Sequence, residues 1–428
     1  MTPITLAKRA AIPLMAMWAL LSLGAGARNA LLPLNSQDLG PLYKSSSLWW
    51  NRHDPYAFYT SAEWERASHL PAPPNLPLIV AYSTPYTPIA LLNLAPLSVF
   101  QWDVAKRLWL IVNLFLAFFV PFLIRHLWYR NWSVSLTAFF VLFWLGGIGL
   151  RVGLGNGQHT LFWFACTVGA LALYRFRRNL IAGALFAVAF HKVQLAAIFT
   201  SFIIAKKWWR LLSLTAVCGL LLLLLFLAHL DVPTSRIWSS YQAELQWWSR
   251  SMEGGGLKGL GNTHLYPALT AILGKGTLLP QILMYGMALS AFLAIARLAS
   301  RDKAFPTDIE ISSLMLFAMW AVYNSIYSTV VVILPIAALY ERMKNGHVRG
   351  KLWLVLLSSE CALTLIWFVD ARKLWGMFTG DHDLSRVITA TSYLCLDLGY
   401  RLIIFGSFLL VLFLQWRESS PELSPACR

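Results

Sequence analysis

Acidic residues are scarce in this sequence. Asp and Glu number 19 against 35 Lys and Arg, and charged residues of either sign make up only 13% of the 428 positions. A water-soluble globular domain carries about 25%, so a soluble fold is excluded for most of the chain. Cysteine is also rare: five are present, four of them inside apolar runs, and no two are spaced as CxxC. That excludes a disulfide framework and a thiolate zinc site and leaves small core residues. HExxH and G-x-S-x-G patterns are missing, so metalloprotease and serine-hydrolase readings have no support. No glycine-rich turn ends in GK[ST], which removes the nucleotide-cradling loop. No internal repeat is evident, and with it goes the inverted-repeat signature common among secondary transporters.

What fills the sequence is apolar. Hydrophobic residues make up 58% and aromatics 14%, and the mean hydropathy is +0.59. A membrane-spanning helix needs about 20 apolar residues, and runs approaching or exceeding that length recur. They lie at about 11–27, 78–100, 108–124, 133–150, 159–174, 180–204, 209–229, 279–298, 309–322, 326–340, 351–369 and 387–415. The expected fold class is therefore an all-α polytopic membrane protein. One integral membrane domain is expected over 1–416, followed by a polar tail over 417–428. Two long polar stretches, 28–77 and 230–278, interrupt the apolar runs. They are too long for plain connectors, which marks them as functional loops or small caps. A short helical piece is expected near Thr60–His69, stopped by Pro71, Pro73, Pro74 and Pro77.

The formal charge is +16. Its basic residues sit in short clusters between apolar runs, at Lys106-Arg107, Arg175–Arg178, Lys206-Lys207 and Arg342–Lys351. Such clusters anchor topology and contact phospholipid head groups; nucleic acid is not an expected partner. Lys8-Arg9 precedes the run at 11–27, which reads as an uncleaved first helix with its N-terminus in the cytoplasm. In the second half, cytoplasmic clusters put 230–278 and 370–386 outside and the C-terminus inside. The first half has a parity conflict, because Arg125–Arg130, Arg175–Arg178 and Lys206–Arg210 cannot all be inside under simple alternation with 28–77 outside. Either 180–204 is a broken re-entrant hairpin with His191-Lys192 at its middle, or some basic groups face outward. About 10 to 13 crossings are expected.

Polar groups in apolar surroundings cost about 2.5–3.5 kcal/mol on insertion scales, so each invites a functional reading. Asp38 opens the polar stretch after the first helix and is followed by Tyr43, Trp49, Trp50, Arg52 and Asp54-Pro55-Tyr56. A carboxylate at a membrane face beside aromatics and cations suits sugar chemistry on a lipid-phosphate substrate; the alternative is an ordinary solvated loop. His191-Lys192 stands near the middle of the run 180–204, too deep to snorkel easily if that run spans. It fits a lipid-linked phosphate or a carboxylate, or else an internal salt bridge. Gly153-Leu-Gly-Asn156-Gly-Gln158-His159 combines glycines, which admit close backbone approach, with donors and acceptors; otherwise it is a turn. Gly261-Asn262-Thr-His264 in the second polar stretch has the same two readings. Trp49, Trp50, Trp247 and Trp248 suit either stacking on sugar faces or interfacial anchoring, the commoner use.

The order of these pieces resembles glycosyltransferase family 87, the bacterial polyprenol-phosphate-mannose-dependent mannosyltransferases of the GT-C superfamily. The resemblance rests on Asp38 soon after the first helix, then Tyr43 and Asp54-Pro55-Tyr56. Tyr82-Ser-Thr-Pro85-Tyr-Thr-Pro88 stands where the family has Y-x-x-P-P, with the double proline split, and Ala95-Pro96-Leu97 follows. Trp109, Gly157-Gln158, Arg175–Arg178, Ala182-Gly183, Lys192 and Gly261-Asn262-Thr263-His264 complete the ordered set. It covers about 30–340. One departure stands out: many members carry W-x-H-H late in the chain, and the stretch Asn324–Thr329, running to Pro335, has no histidine. Another group then takes that role, or the substrates differ.

The resemblance implies a GT-C-like bundle with two long outer loops in the bacterial cytoplasmic membrane. It implies inverting transfer of a sugar, mannose first, from a polyprenyl-phosphate donor to a lipid or glycan acceptor, without a cofactor or metal. Asp38 would be the general base. Lys192, His159, His264, Arg52 and Gln158 are the candidates for holding the donor and its phosphate. Tyr43, Asn156, Asn262 and Tyr56 are the candidates for holding substrate. The rival class is a multi-pass transporter or flippase for a lipid-linked sugar or another solute; a subunit without chemistry is a third reading.

Overall fold

Among the described residues the apolar runs form helices and there is no strand. The computed structural model describes residues 3–32, 38–71, 86–253, 269, 273, 278–301, 305–321, 326–345, 401 and 403–418. The chain forms two compact units. One comprises Met1–Gly146, Leu150–Thr200 and Trp208–Gly256; the other comprises Gly147–Gly149, Ser201–Lys207 and Leu257–Arg428.

In the first unit α1 (Pro3–Leu31) extends the expected first helix at both ends. The polar stretch after it is largely helical. Helix α2 (Leu39–Trp50) is buried along nearly its whole length. Its Gly-Pro and triple serine look like loop chemistry, yet Pro41 lies in the first turn, where a missing amide loses no partner. The serines are satisfied internally: Ser47 Oγ donates to Lys44 O at 2.7 Å and Ser46 Oγ to Leu91 O at 3.0 Å. Helix α3 (Ser61–Ser68) is the short piece expected there, and it starts on a capping box in which Thr60 and Glu63 satisfy each other's amides. Helix α4 (Pro88–Leu94) is only seven residues long, with Pro88 at its first turn.

Helix α5 (Trp102–Trp128) is followed by α6 (Val134–Leu145) and α7 (Ile148–Asn156). The last two form a pair bent by 47° that together pass for one span. After α8 (Thr160–Arg175) comes α9 (Asn179–Ala189), a 3-10 turn at Phe190–Lys192, and α10 (Val193–Ala205). Residues Asn179–Ala205 count as one span-length helix, so the bend sits at 145–148 and not at His191-Lys192. Helix α11 (Trp209–His229) leads into α12 (Thr234–Glu253). The second polar stretch therefore begins as a helix of 20 residues, with Ile237 and Glu244 on its buried side and Trp238, Leu245 and Trp247 exposed.

Helix α9 packs on both α8 and α11, α5 on α8, and α1 on α6; α2 and α11 both lie against α4. The α9–α11 approach needs Gly183, because a Cβ there would stand 2.7 Å from Leu214 Cβ and 3.0 Å from its carbonyl carbon. Trp18 Nε1 donates to Gly146 O at 3.0 Å, pinning α1 to the end of α6.

In the second unit α13 (Leu279–Arg301) packs on α14 (Asp308–Ala321), and α14 on α15 (Ile333–Lys344). Trp320 is fully buried among Phe317, Phe405 and Phe408, the latter two in the helix over 403–418. Charged groups close this unit at the start of α14. Lys206 Nζ meets Glu310 at 2.5 Å, and Arg342 bridges Asp308 at 2.7 Å and Glu418 at 2.9 Å. Lys206 and Arg342, expected as topology anchors, are thus also paired with carboxylates.

Four described helices are long and apolar enough to cross a membrane, or five if the bent pair counts as one span. Helices α5 and α11 expose Ile111, Phe115, Phe122, Leu220, Leu221 and Leu225. Outward apolar surface on this scale requires lipid rather than water around it. The protein is an all-α, multi-pass membrane protein.

Candidate functional site

The glycine-rich stretch between α7 and α8 makes the turn on which the site is built. Gly157 has φ 67°, in the left-handed region that glycine enters without a Cβ penalty. The turn is closed by Gln158 N donating to Gly153 O at 2.8 Å, and Trp109 Nε1 donates to Gly157 O at 3.0 Å. Asp38, just before α2, ties itself to the same turn, its backbone amide donating to Asn156 O at 3.2 Å. The helix-capping role open to an aspartate at this position is not taken, since its side chain makes no capping bond to α2.

The Asp38 carboxyl instead faces the turn and Lys192. Burial pushes its pKa above the usual carboxylate value, while the side chain of Gln158, the charge of Lys192 and the side chain of Asn156 pull the other way. Gln158 is almost fully buried, and neither amide atom reaches a hydrogen-bond partner, although the amide lies close enough to Asp38 to help hold its charge. His159 is buried too, and its Nε2 has no partner among the described residues. Its ring lies 4.8 Å from Trp109, 5.9 Å from Tyr86 and 6.1 Å from His191.

Lys192 enters from the 3-10 turn and donates through Nζ to Thr160 Oγ1 at 2.7 Å. His191 places Nδ1 3.0 Å from Val188 O and Nε2 3.2 Å from His159 O. Asp38, Asn156, Gln158, His159 and Lys192 therefore converge. Buried polar groups without partners are rare in native proteins, and here two of them line the same turn as a carboxylate and a lysine.

Other candidates are engaged elsewhere. The Tyr43 hydroxyl donates to Phe100 O at 2.7 Å, with its ring against Trp64 and Trp102. Tyr56 donates its hydroxyl to Tyr86 O at 3.1 Å and its amide to Asp54 at 3.0 Å, while Ser240 donates to the other Asp54 oxygen at 2.7 Å. The Asp54-Pro55-Tyr56 element thus ties the end of α2 to α12. Arg52, beyond the C-terminus of the 12-residue α2, is exposed and pairs with Asp231 at 3.7 Å. That helix is about 18 Å long, so Arg52 and Asp38 belong to opposite ends. Trp49 is buried, stacked 5.9 Å from Phe226 with Nε1 donating to its carbonyl at 3.0 Å, which makes it core. Asn262, His264 and Tyr82–Pro85 lie outside the described residues, as do Asn324 and Ser325 of the stretch running to Thr329.

Sequence reasoning passed over Thr160, Thr87 and Asn93. A threonine at a helix start or an asparagine in a short apolar helix carries no local signal; only the partner across the fold marks it. Among the described residues no three His, Cys, Asp or Glu side chains are grouped to hold a metal ion.

A family model, that of glycosyltransferase family 87, matches residues 84–322, more than half of the chain. The chain belongs to glycosyltransferase family 87. No curated protein and no solved structure matches it. A family 87 member is a membrane glycosyltransferase, in keeping with the apolar helices. The matched span holds Asn156, Gln158, His159 and Lys192; Asp38 precedes it, so in this family 87 protein the two parts meet only through folding.

Proposed function

We propose that this glycosyltransferase moves a sugar, mannose first, from a polyprenyl-phosphate donor to a hydroxyl of a lipid or glycan acceptor at the outer face of the cytoplasmic membrane. The observation that carries the reading is that Asp38 and Lys192 are tied to the two sides of the same turn, Asp38 through its amide on Asn156 O and Lys192 through Nζ on Thr160 Oγ1, close enough for the lysine charge to act on the carboxyl. Transfer with inversion needs two opposite functions within a few ångströms. A base takes the proton of the acceptor hydroxyl as its oxygen attacks the anomeric carbon, and a cation stabilises the phosphate as the bond from that carbon to the phosphate oxygen breaks. Asp38 is the base and receives the proton. Lys192 stabilises the departing polyprenyl phosphate.

Burial of Asp38 makes its ionised form a stronger base than an exposed aspartate, and Lys192 with the neighbouring amides keeps that form accessible. Gln158 and a neutral His159 each offer a donor or an acceptor. That suits sugar hydroxyls, which need both, whereas a phosphate needs donors alone. The exposed apolar faces of α5 and α11 suit the polyprenyl chain. Family membership favours the transferase over the carrier.

Sugar transfer in proteoliposomes, from polyprenyl-phosphate-mannose to mixed membrane lipids, tests the reading. Wild type is expected to transfer, and a monodisperse Asp38→Asn variant is expected not to. Equal transfer by both removes Asp38 as the base. Transfer by neither, with donor moved across the bilayer, restores the carrier.

A further inference from the structure

The break in the span Asn179–Ala205 is held from outside. Where α9 gives way to the 3-10 turn at Phe190–Lys192, the helical hydrogen-bond ladder is interrupted and nearby carbonyls are left to other donors. Two side chains of α4 and its cap reach them from a neighbouring helix, and His191 Nδ1 lies 3.0 Å from one of the same carbonyls, Val188 O. Thr87 Oγ1 donates to Phe190 O at 3.2 Å, and Asn93 Nδ2 donates to Val188 O at 3.3 Å. Thr87 stands at the N-cap of α4, where a threonine ordinarily accepts from an amide of its own helix. It makes no such bond. Its hydroxyl is spent on the break instead. A seven-residue helix thus grips two carbonyls flanking the turn from which Lys192 reaches Thr160.

We propose that Thr87 and Asn93 are positioning residues for sugar transfer, clamping the helix break so that Lys192 presents its ammonium to Asp38 and to the departing phosphate. The proposal rests on the transferase reading for its purpose, but the clamp has a consequence that needs no turnover. Around the Asp38 carboxyl the titratable groups are Lys192, with His159 and His191 beside that lysine. A lysine that swings away leaves Asp38 without its nearby cation, and the carboxyl holds its proton to higher pH.

Dicyclohexylcarbodiimide reacts with protonated carboxyls in apolar surroundings, so the pH midpoint of its attachment to Asp38, read by mass spectrometry, reports that cation. The proteins compared are wild type, Lys192→Met, Thr87→Val, Asn93→Leu, their double variant and Thr87→Ser, each checked for monodispersity in detergent. Lys192→Met is expected to raise the midpoint by about one pH unit. The double variant is expected to move in the same direction, and either single variant serves if the double does not fold. Thr87→Ser keeps the hydroxyl and the wild-type midpoint. Transfer is expected to fall about tenfold to a hundredfold in the double variant, as for a misplaced reacting group. Folded clamp variants with the wild-type midpoint, alongside a shifted Lys192→Met, overturn the proposal; so does a Lys192→Met midpoint that stays put. A wild type without transfer tells against the transferase chemistry alone and leaves the midpoint comparison valid.

Discussion

Replacing Lys206 with methionine should unfold the protein at a markedly lower temperature. Lys206 Nζ lies 2.5 Å from Glu310, and the two side chains are 0% and 9% exposed. Glu310 does double duty. Its other carboxylate oxygen accepts from Thr307 N at 2.8 Å, and Thr307 Oγ1 accepts from Glu310 N at 3.2 Å, so it caps α14 as well as pairing with Lys206. Methionine keeps most of the apolar stem, so packing changes little. What changes is that a buried carboxylate loses its cation, a loss of about 3–5 kcal/mol for a buried pair broken on one side. The remaining amide bond lowers the cost toward the bottom of that range. Glu310→Gln removes the carboxylate from beside the lysine, which keeps the face of Phe202, 5.7 Å away, worth about 0.5–2 kcal/mol. Removing both charges should cost less than the sum of the two single losses, with a coupling of about 1–3 kcal/mol. Thermal and denaturant unfolding in detergent micelles, run as a double-variant cycle, measures this. Single losses that add to within about 0.5 kcal/mol, or a Lys206→Met variant as stable as wild type, would refute the reasoning.

Three further outcomes are expected around the turn. Because the folded-state pKa of Asp38 is raised above its unfolded value, its ionisation costs stability at neutral pH, and the cost fades as pH falls through the folded pKa. Asp38→Asn should therefore melt above wild type at neutral pH, with the gap closing on acidification; a lower melting point at neutral pH contradicts the assignment. Wild-type transfer should decline on acidification through the same raised pKa. Trp109→Phe removes the donor to Gly157 O and leaves a buried carbonyl unpaired, at about 1–3 kcal/mol; unchanged unfolding and transfer would show that the turn does not depend on it. Gln158→Leu removes one of the groups that hold the Asp38 charge, so the Asp38 carboxyl should keep its proton to higher pH while the donor KM rises. A variant that transfers normally takes Gln158 out of sugar recognition.

The fold class was legible because hydropathy is a local property. Twenty apolar residues in a row have few alternatives to a membrane helix, whatever lies elsewhere in the chain. Boundaries inside the polar stretches were less so. Helix α2 looked like loop because glycine, proline and serine favour turns in isolation, and tertiary burial overrode that preference by satisfying the serines on carbonyls of α2 itself and of α4. The re-entrant hairpin that was one of two arrangements open at His191-Lys192 is a single 3-10 turn in a continuous run, where Thr87, Asn93 and the His191 ring meet carbonyls of the turn region.

The sequence by itself determined that this is a helical membrane protein, that its family is that of a glycosyltransferase, and that Asp38, Lys192 and the Gly153–His159 turn are polar groups in need of a reason. Only the tertiary structure decided which of them meet. It joined Asp38 to Asn156 and Lys192 to Thr160, gave the hydroxyls of Tyr43 and Tyr56 to carbonyls, and left Arg52 at the far end of α2. The physical reason is that an apolar run follows from its own composition, whereas a buried polar group must find a partner, and that partner is fixed by which helices pack together.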